Sequence, residues 1–271
     1  MYFEDSISIS RTNLFSKFNF AQTCGEAGQV IALTNQNAVD NFTEKYGDCD
    51  HVLGTLYITG SVTNLKGLSG IKKIDGKFTI FKSTLTNLSG MESLEFVGGS
   101  MALGNNDALT NIDALKSLKE IGEFLSINAN PALENVKGLN ALQKIGGYLQ
   151  VTNNAKLVDL KGFNAVQSIG NYIYIINNNA LENLMSANAL KSVNGKIEIR
   201  LNPILKSLSG FDKLDEKTIK NLILSNNASL AFCNSEVICK YLANPSNIAT
   251  ITNNAANCNS KEAIVSLCAT K

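Results

Sequence analysis

A parallel β-solenoid of about eight coils, closed at each end by a helical, cysteine-containing cap, is the fold this sequence predicts. Three observations predict it. Residues 123–194 are one phrase written three times: EFLSINANPALENVKGLNALQKIG, GYLQVTNNAKLVDLKGFNAVQSIG and NYIYIINNNALENLMSANALKSVN. Apolar letters recur there at a period of about 24 residues, as in stacked units that bury their apolar edges only against one another. An Asn recurs at one place in every row, and all six cysteines lie outside the repeats.

Within a row, alternate apolar residues face the inside of the coil. These are Leu125 and Ile127, Leu149 and Val151, then Ile173 and Ile175. Asn130, Asn154 and Asn178 follow, where the chain must turn and leave backbone N–H and C=O groups pointing inward. Stacked side-chain amides can donate and accept along such a column and satisfy those groups. The column extends to Asn106 before the three rows and to Asn202 and Asn227 after them. Five residues later a second polar column, Asn111, Asn135, Asp159, Asn183 and Ser207, reads as another internal ladder. The second half of a coil carries Leu133, Val136, Leu139, Leu142 and Ile145. Gly138, Gly162 and Gly210 mark a corner needing positive φ or close backbone approach.

Taken in order, residues 1–23 are a polar lead-in dotted with Phe15, Phe18 and Phe20, without a period. Residues 24–53 read as an N-terminal cap. Val30, Ile31 and Leu33 suggest a strand, and Thr34 then caps a helix to about Tyr46 with Val39, Phe42 and Tyr46 on one face. That helix would plug the open core, and Cys24 and Cys49 flank it as a candidate pair. The coils occupy 54–232. Gly54 to Gly76 is 22 residues and Gly76 to Gly99 is 23, after which the spacing settles at 24. The early turns carry Gly60-Ser61 or Lys82-Ser83 in place of Asn, so ladder register is weakest there.

Residues 233–271 break the period and form the C-terminal cysteine cap. Ser235 caps a helix with Val237, Ile238, Tyr241 and Leu242 on one side; 247–251 suit a last strand; Ser260 caps a second helix carrying Ile264 and Leu267. A helix between Cys258 and Cys268 would hold them apart at about 1.5 Å per residue. Cys233–Cys258 with Cys239–Cys268 is therefore favoured among the three pairings open to these four cysteines.

Composition narrows the function. Hydrophobic residues make up 44% of the chain, ample for a core. A net charge of +1 with 17% charged residues supplies no basic stripe for phosphates, which argues against nucleic acid. Arginine occurs only at Arg11 and Arg200. No run of 18 apolar residues suits a membrane span, and no secretory signal is visible in 1–23. An even set of cysteines at the two ends fits disulfides in an oxidising compartment better than zinc, since no C-x-x-C pair and only one His exist. That residue, His51, reads as an ordinary surface or cap side chain, because every Cys is better used as a bridge. Glu198 stands beside Arg200 with no second acid in register, and Asp48 and Asp50 are a thin basis for calcium. The glycines match no phosphate-cradling pattern. No catalytic residue, metal or cofactor is expected. Asn41, Asn87 and Asn227 begin glycosylation acceptor triplets, the latter two on ladder positions that should be buried.

The phrase G-x-L-x-I-x-x-N-x-x-L-x-x-L-x-G-L-x-x-L-x-x-I-G in Gly99–Gly122 and Gly147–Gly170 resembles the receptor L-domain type of leucine-rich solenoid. Ile31–Phe42 resembles that family's opening strand and helix. Cys233–Cys268, with ICKYL from Ile238 and NAANCNS from Asn254, is similar to the cysteine cap of exported leucine-rich proteins in Bacteroidetes. The resemblance covers about 24–268. It implies a right-handed coil and an extracellular or cell-surface recognition protein that is not an enzyme.

The outward residues of the strands are the remaining candidates for a site. Their first row runs Thr55, Lys77, Ser100, Phe124, Tyr148, Tyr172, Lys196, Asn221. Phe124, Tyr148 and Tyr172 fall in successive coils about 4.8 Å apart, with Tyr174 and Ile176 beside them. Such a patch suits a glycan or a protein anchor; aromatic residues also stabilise neighbouring strands by cross-strand contact. The expected function is a non-catalytic recognition or adhesion module, secreted or at the cell surface and monomeric. A β-solenoid enzyme acting on polysaccharide is the alternative.

Overall fold

The computed structural model describes residues 22–184 and 189–270, so nearly all of the lead-in expected over 1–23 lies outside the described residues. The chain winds into a stack of coils around one apolar core. Ten parallel strands form the long sheet in chain order: β1 (Val30–Asn35), β2 (Thr55–Ser61), β3 (Phe78–Ser83), β4 (Met101–Gly104), β5 (Leu125–Asn128), β6 (Leu149–Thr152), β7 (Ile173–Ile176), β8 (Lys196–Arg200), β9 (Asn221–Ser225) and β10 (Ile248–Thr252). Strands β2–β9 supply the eight repeats. The caps add β1 and β10, so each cap continues the long sheet as well as covering the core.

Period-2 alternation places the inward pairs as expected. Leu125 pairs with Leu149, Leu149 with Ile173 and Ile173 with Ile197, and all four are fully buried. A second sheet of eight two-residue strands, Thr23–Cys24 to Ser192–Val193, runs along another side of the coil. Ile121, Ile145 and Ile169 point inward from it. The remaining side turns through short 3-10 segments such as Lys137–Leu139 and Lys161–Phe163. With Leu133, Val136, Leu139, Leu142 and Ile145 all fully buried, the second half of one coil hides five apolar side chains, each worth about 1.5–3 kcal/mol of transfer free energy.

Coils must approach closely at the 3-10 side. A Cβ at Gly162 would sit 1.7 Å from the carbonyl oxygen of Val136, so only glycine fits. Gly210 answers the other requirement of a corner, with φ +113.

The Asn column is a continuous buried ladder. Asn154 Oδ1 accepts from Asn130 N (3.1 Å) and Asn130 Nδ2 (3.3 Å), while Asn154 Nδ2 donates to the carbonyls of Ile127 (2.9 Å) and Thr152 (3.0 Å). Asn106, Asn130, Asn154, Asn178, Asn202 and Asn227 are all fully buried. Ser83 closes one end, donating from N and Oγ to Asn106 Oδ1 at 3.0 and 2.8 Å. Asn254 closes the other, accepting from Asn227 and donating to Cys258 O.

Before each ladder Asn stands a residue in the left-handed region: Gly60 and Lys82 at the early turns, then Asn105, Ala129, Asn153, Asn177, Leu201, Asn226 and Asn253, with φ between 49 and 74. The repeated Asn-Asn pair therefore has two jobs. Its first member tolerates the left-handed turn and its second fills the ladder.

The second polar column is not a ladder between coils. Asn135 Oδ1 accepts from Lys137 N (3.1 Å), Asp159 Oδ1 from Lys161 N (3.1 Å) and Ser207 Oγ from Ser209 N (3.0 Å). Each side chain bonds two residues ahead within its own coil and sets up the turn that follows. The expected N-cap helix also differs. Asn35, rather than Thr34, accepts from Ala38 N at 2.9 Å, and the helix is split into α1 (Gln36–Asp40) and α2 (Phe42–Tyr46) at Asn41. Asn35 is the last residue of the strand, so its extended backbone is already placed for the cap. At the other end Ser235 caps α3 (Glu236–Ala243) and Ser260 caps α4 (Lys261–Cys268). The disulfides are Cys24–Cys49, Cys233–Cys258 and Cys239–Cys268. All six cysteines are thus bridged, consistent with an extracellular protein.

Parallel stacking sets equivalent residues above one another, which would pile up like charges. The short sheet avoids this by alternation. Asp50 pairs with Lys72 (3.1 Å), Glu95 with Lys119 (2.6 Å) and Glu120 with Lys144 (2.8 Å), each across adjacent coils. Exposed pairs are worth under about 1 kcal/mol each, so their larger effect is on register.

Two stability predictions follow from the corner. Asn154→Leu strands buried donors and acceptors on both neighbouring coils and is expected to cost at least about 3 kcal/mol in chemical denaturation, whereas Asn135→Ala costs about 1 kcal/mol or less. Leu201, two-fifths exposed with φ +59, is strained without compensating burial. Leu201→Asn is expected to raise the denaturation midpoint, by about 0.5–1 kcal/mol.

Candidate functional site: an aromatic strip on the long sheet

Phe124, Tyr148 and Tyr172 each precede the first inward residue of their strand, so all three project from the outer face of the long sheet. The stacking of coils brings them together. Phe124 and Tyr148 have ring centroids 4.6 Å apart and planes within 4°. Tyr148 and Tyr172 lie 5.8 Å apart at 23°. Tyr174, one outward position further along β7, leans on Tyr172 (5.2 Å, 46°) and meets Tyr148 edge-on (6.4 Å). Ile176 projects next along β7. All five candidates are half-buried.

The rings stack along the same direction as the coils, so Tyr148 is sandwiched between its neighbours. Neither face of its ring is open. At the centre of the strip, Tyr148 presents its ring edge and hydroxyl. Packing against neighbours raises the Tyr148 pKa, first through burial and then through the nearby phenols of Tyr172 and Tyr174.

A charged group borders the strip and was not legible as part of it. Lys196 Nζ lies 4.8 Å above the Tyr174 ring and 2.6 Å from Glu198 Oε2, and Arg200 Nε lies 2.7 Å from Glu198 Oε1. The Glu198 hydrogen bond, against the opposing effect of burial, raises the Lys196 pKa. Lys196 stands in the same outward row as the three rings, and that row was the available signal. A hydrogen-bonded polar margin runs along the other edge. Thr152 Oγ1 donates to Asn128 Oδ1 (2.8 Å), Asn153 Nδ2 to the same oxygen (3.0 Å) and Asn177 Nδ2 to Asn153 Oδ1 (2.7 Å).

Other candidate chemistry lies apart from the strip. His51 Nε2 is 2.8 Å from Asp75 Oδ2, and Lys73 shares that carboxylate at 2.9 Å. Asp50 is committed to Lys72. Among the described residues no three His, Cys, Asp or Glu side chains gather as metal ligands, and no helix is long and apolar enough to cross a membrane. A concavity lies elsewhere, around Phe42, Asp48, Asp50 and Gly67 at the N-terminal cap.

With a phenol pKa above the ordinary 10.0, the stability contributed by protonated Tyr148 is complete below that value and is lost as pH rises through the folded one. Tyr148→Phe is expected to flatten this alkaline loss in denaturation curves recorded against pH.

No family model, curated protein or solved structure matches this chain.

Proposed function

We propose that this chain is a non-catalytic recognition module, secreted or held at the cell surface, that binds a protein partner through the outer face of its long sheet. The observation that carries this reading is the strip itself: four aromatic rings and Ile176 grouped on a rigid sheet and bordered by Lys196, Glu198 and Arg200. Aromatic residues and arginine dominate binding energy at protein interfaces because they bring large, pre-ordered contact area. The resemblance to receptor L-domain solenoids and to cysteine-capped exported proteins points the same way, as do the three disulfides.

Between the two ligand classes, a protein fits the geometry better. A sugar stacks on an open ring face, and the sandwich around Tyr148 leaves edges and hydroxyls, which suit apolar and hydrogen-bonded contacts of a polypeptide. An enzymatic reading would need a carboxylate poised for proton transfer. Glu198 is instead tied between two cations, an arrangement suited to holding a contact in place.

The test is binding of the chain to paired arrays of extracellular protein domains and of glycans, with Ser126→Arg placed on the strip's surface and Lys116→Glu on the 3-10 side as a control. The expected result is a protein ligand whose affinity falls at least about tenfold with Ser126→Arg and is unchanged by Lys116→Glu. A ligand insensitive to Ser126→Arg would remove the face from the account, and a glycan-only profile would overturn the choice of partner.

A further inference from the structure

The structure points to a specific chemistry for that partner, and this step rests on the recognition reading above: we propose that the ligand carries a carboxylate that docks on Lys196 and Arg200, with an adjoining apolar side chain laid against Tyr172, Tyr174 and Ile176. The occupant is an acidic peptide segment.

Lys196 and Arg200 share one carboxylate, that of Glu198, and among the described residues neither has another acid within ion-pair distance. Glu198 is the buried member of the trio. Its side chain is 11% exposed, against 30% for Lys196 and 43% for Arg200. The negative charge therefore sits beneath the surface and the two positive ends meet solvent, leaving a net positive spot at the end of the strip.

The rest of the face sharpens this. Along the outward rows from Thr55 to Ser225 the other charges are cations: Lys77 in the first row and Lys82, which lies over the outward Phe81 ring. One other acid reaches this face, Glu123, which accepts from Ser100 Oγ at the opposite end of the strip; many of the remaining acids pair across the short sheet. A ligand carboxylate approaching this face would meet attraction at Lys196 and Arg200 and little repulsion on the way.

Residue choice agrees. Arg200 is the one arginine among the described residues, where all other fixed cations are lysines. Arginine's planar fork can face one carboxylate at Nε and donate from its remaining N–H groups to a second, which lysine cannot do with comparable geometry. Glu198 Oε1 faces the Nε side in ion-pair contact, without an aligned hydrogen bond. Arg200 pairs in register with Ile176, so a carboxylate bound there lies within a residue or two of the apolar surface. Two cations are too few to follow a polyanion's backbone, which favours a peptide over a sulfated glycan.

The experiment uses the full chain and immobilised peptides in which Asp or Glu adjoins Leu or Phe. Each has its Asn or Gln counterpart and is made with free and with amidated C-termini, and a sulfated oligosaccharide is included. Acidic peptides are expected to bind at least about tenfold tighter than their amide counterparts, with the margin shrinking as salt rises. Arg200→Gln and Lys196→Gln are each expected to remove most of that preference in a chain that still unfolds cooperatively above the assay temperature, and Arg200→Lys to keep part of it. Equal binding before and after C-terminal amidation assigns the carboxylate to a side chain; loss on amidation assigns it to a chain end. Equal binding of acids and amides that Ser126→Arg abolishes would overturn this proposal while leaving the recognition face standing. Binding untouched by Ser126→Arg would overturn both. Binding of the sulfated oligosaccharide alone, or of no probe, also overturns the proposal.

Discussion

Every coil of this protein turns a corner that leaves backbone donors and acceptors facing an apolar interior, and the architecture depends on how those groups are satisfied. A buried amide without a partner costs a large fraction of a domain's net stability. From Asn106 onward, one Asn per coil removes the problem by reaching both neighbours: its oxygen serves the coil before, and its nitrogen serves carbonyls of that coil and its own and the amide oxygen of the next rung. The ladder fixes vertical register because a coil displaced by one residue would lose every rung. Ser83 and Asn254 close the column where it meets the caps.

From that constraint the other features follow. The left-handed residue before each rung is the backbone's way of entering the corner, which explains the Asn-Asn pairs. Glycine recurs where coils come within contact of one another's carbonyls, as at Gly162. Alternating charge on the short sheet turns the hazard of stacking equal positions into pairs such as Glu120–Lys144. Fixed register is also what makes a surface. Phe124, Tyr148 and Tyr172 stack because their strands cannot slide, so the strip is ordered by the core beneath it and requires no loop to arrange it.

Much of this was legible from the residues. The period located the long strands, the Leu125/Ile127 alternation gave their inward faces, and end placement of the cysteines marked the caps. Three things were not. Spacing alone cannot tell a bond to the next coil from a bond two residues ahead, so Asn135 and Asp159 were read as a ladder when they shape their own turns. The cap at Asn35 hid behind the equally suitable Thr34, because both can accept from the first helical N–H groups. Outward position was readable for Tyr148, but ring orientation was not, since that is decided by neighbours one strand spacing away. For the same reason Lys196, Glu198 and Arg200 were visible as residues while their link to the rings was not.

The Asn column is buried and continuous, which makes it part of the cooperative core. Hydrogen exchange of assigned amides tests it most directly. The backbone N–H groups of Asn130, Asn154, Asn178 and Asn202, each bonded to the side chain of the next rung, are predicted to exchange as slowly as the inward positions Leu149 and Ile173, with side-chain amide protons that are also protected. Exchange of these four at the rate of exposed turn residues would contradict it.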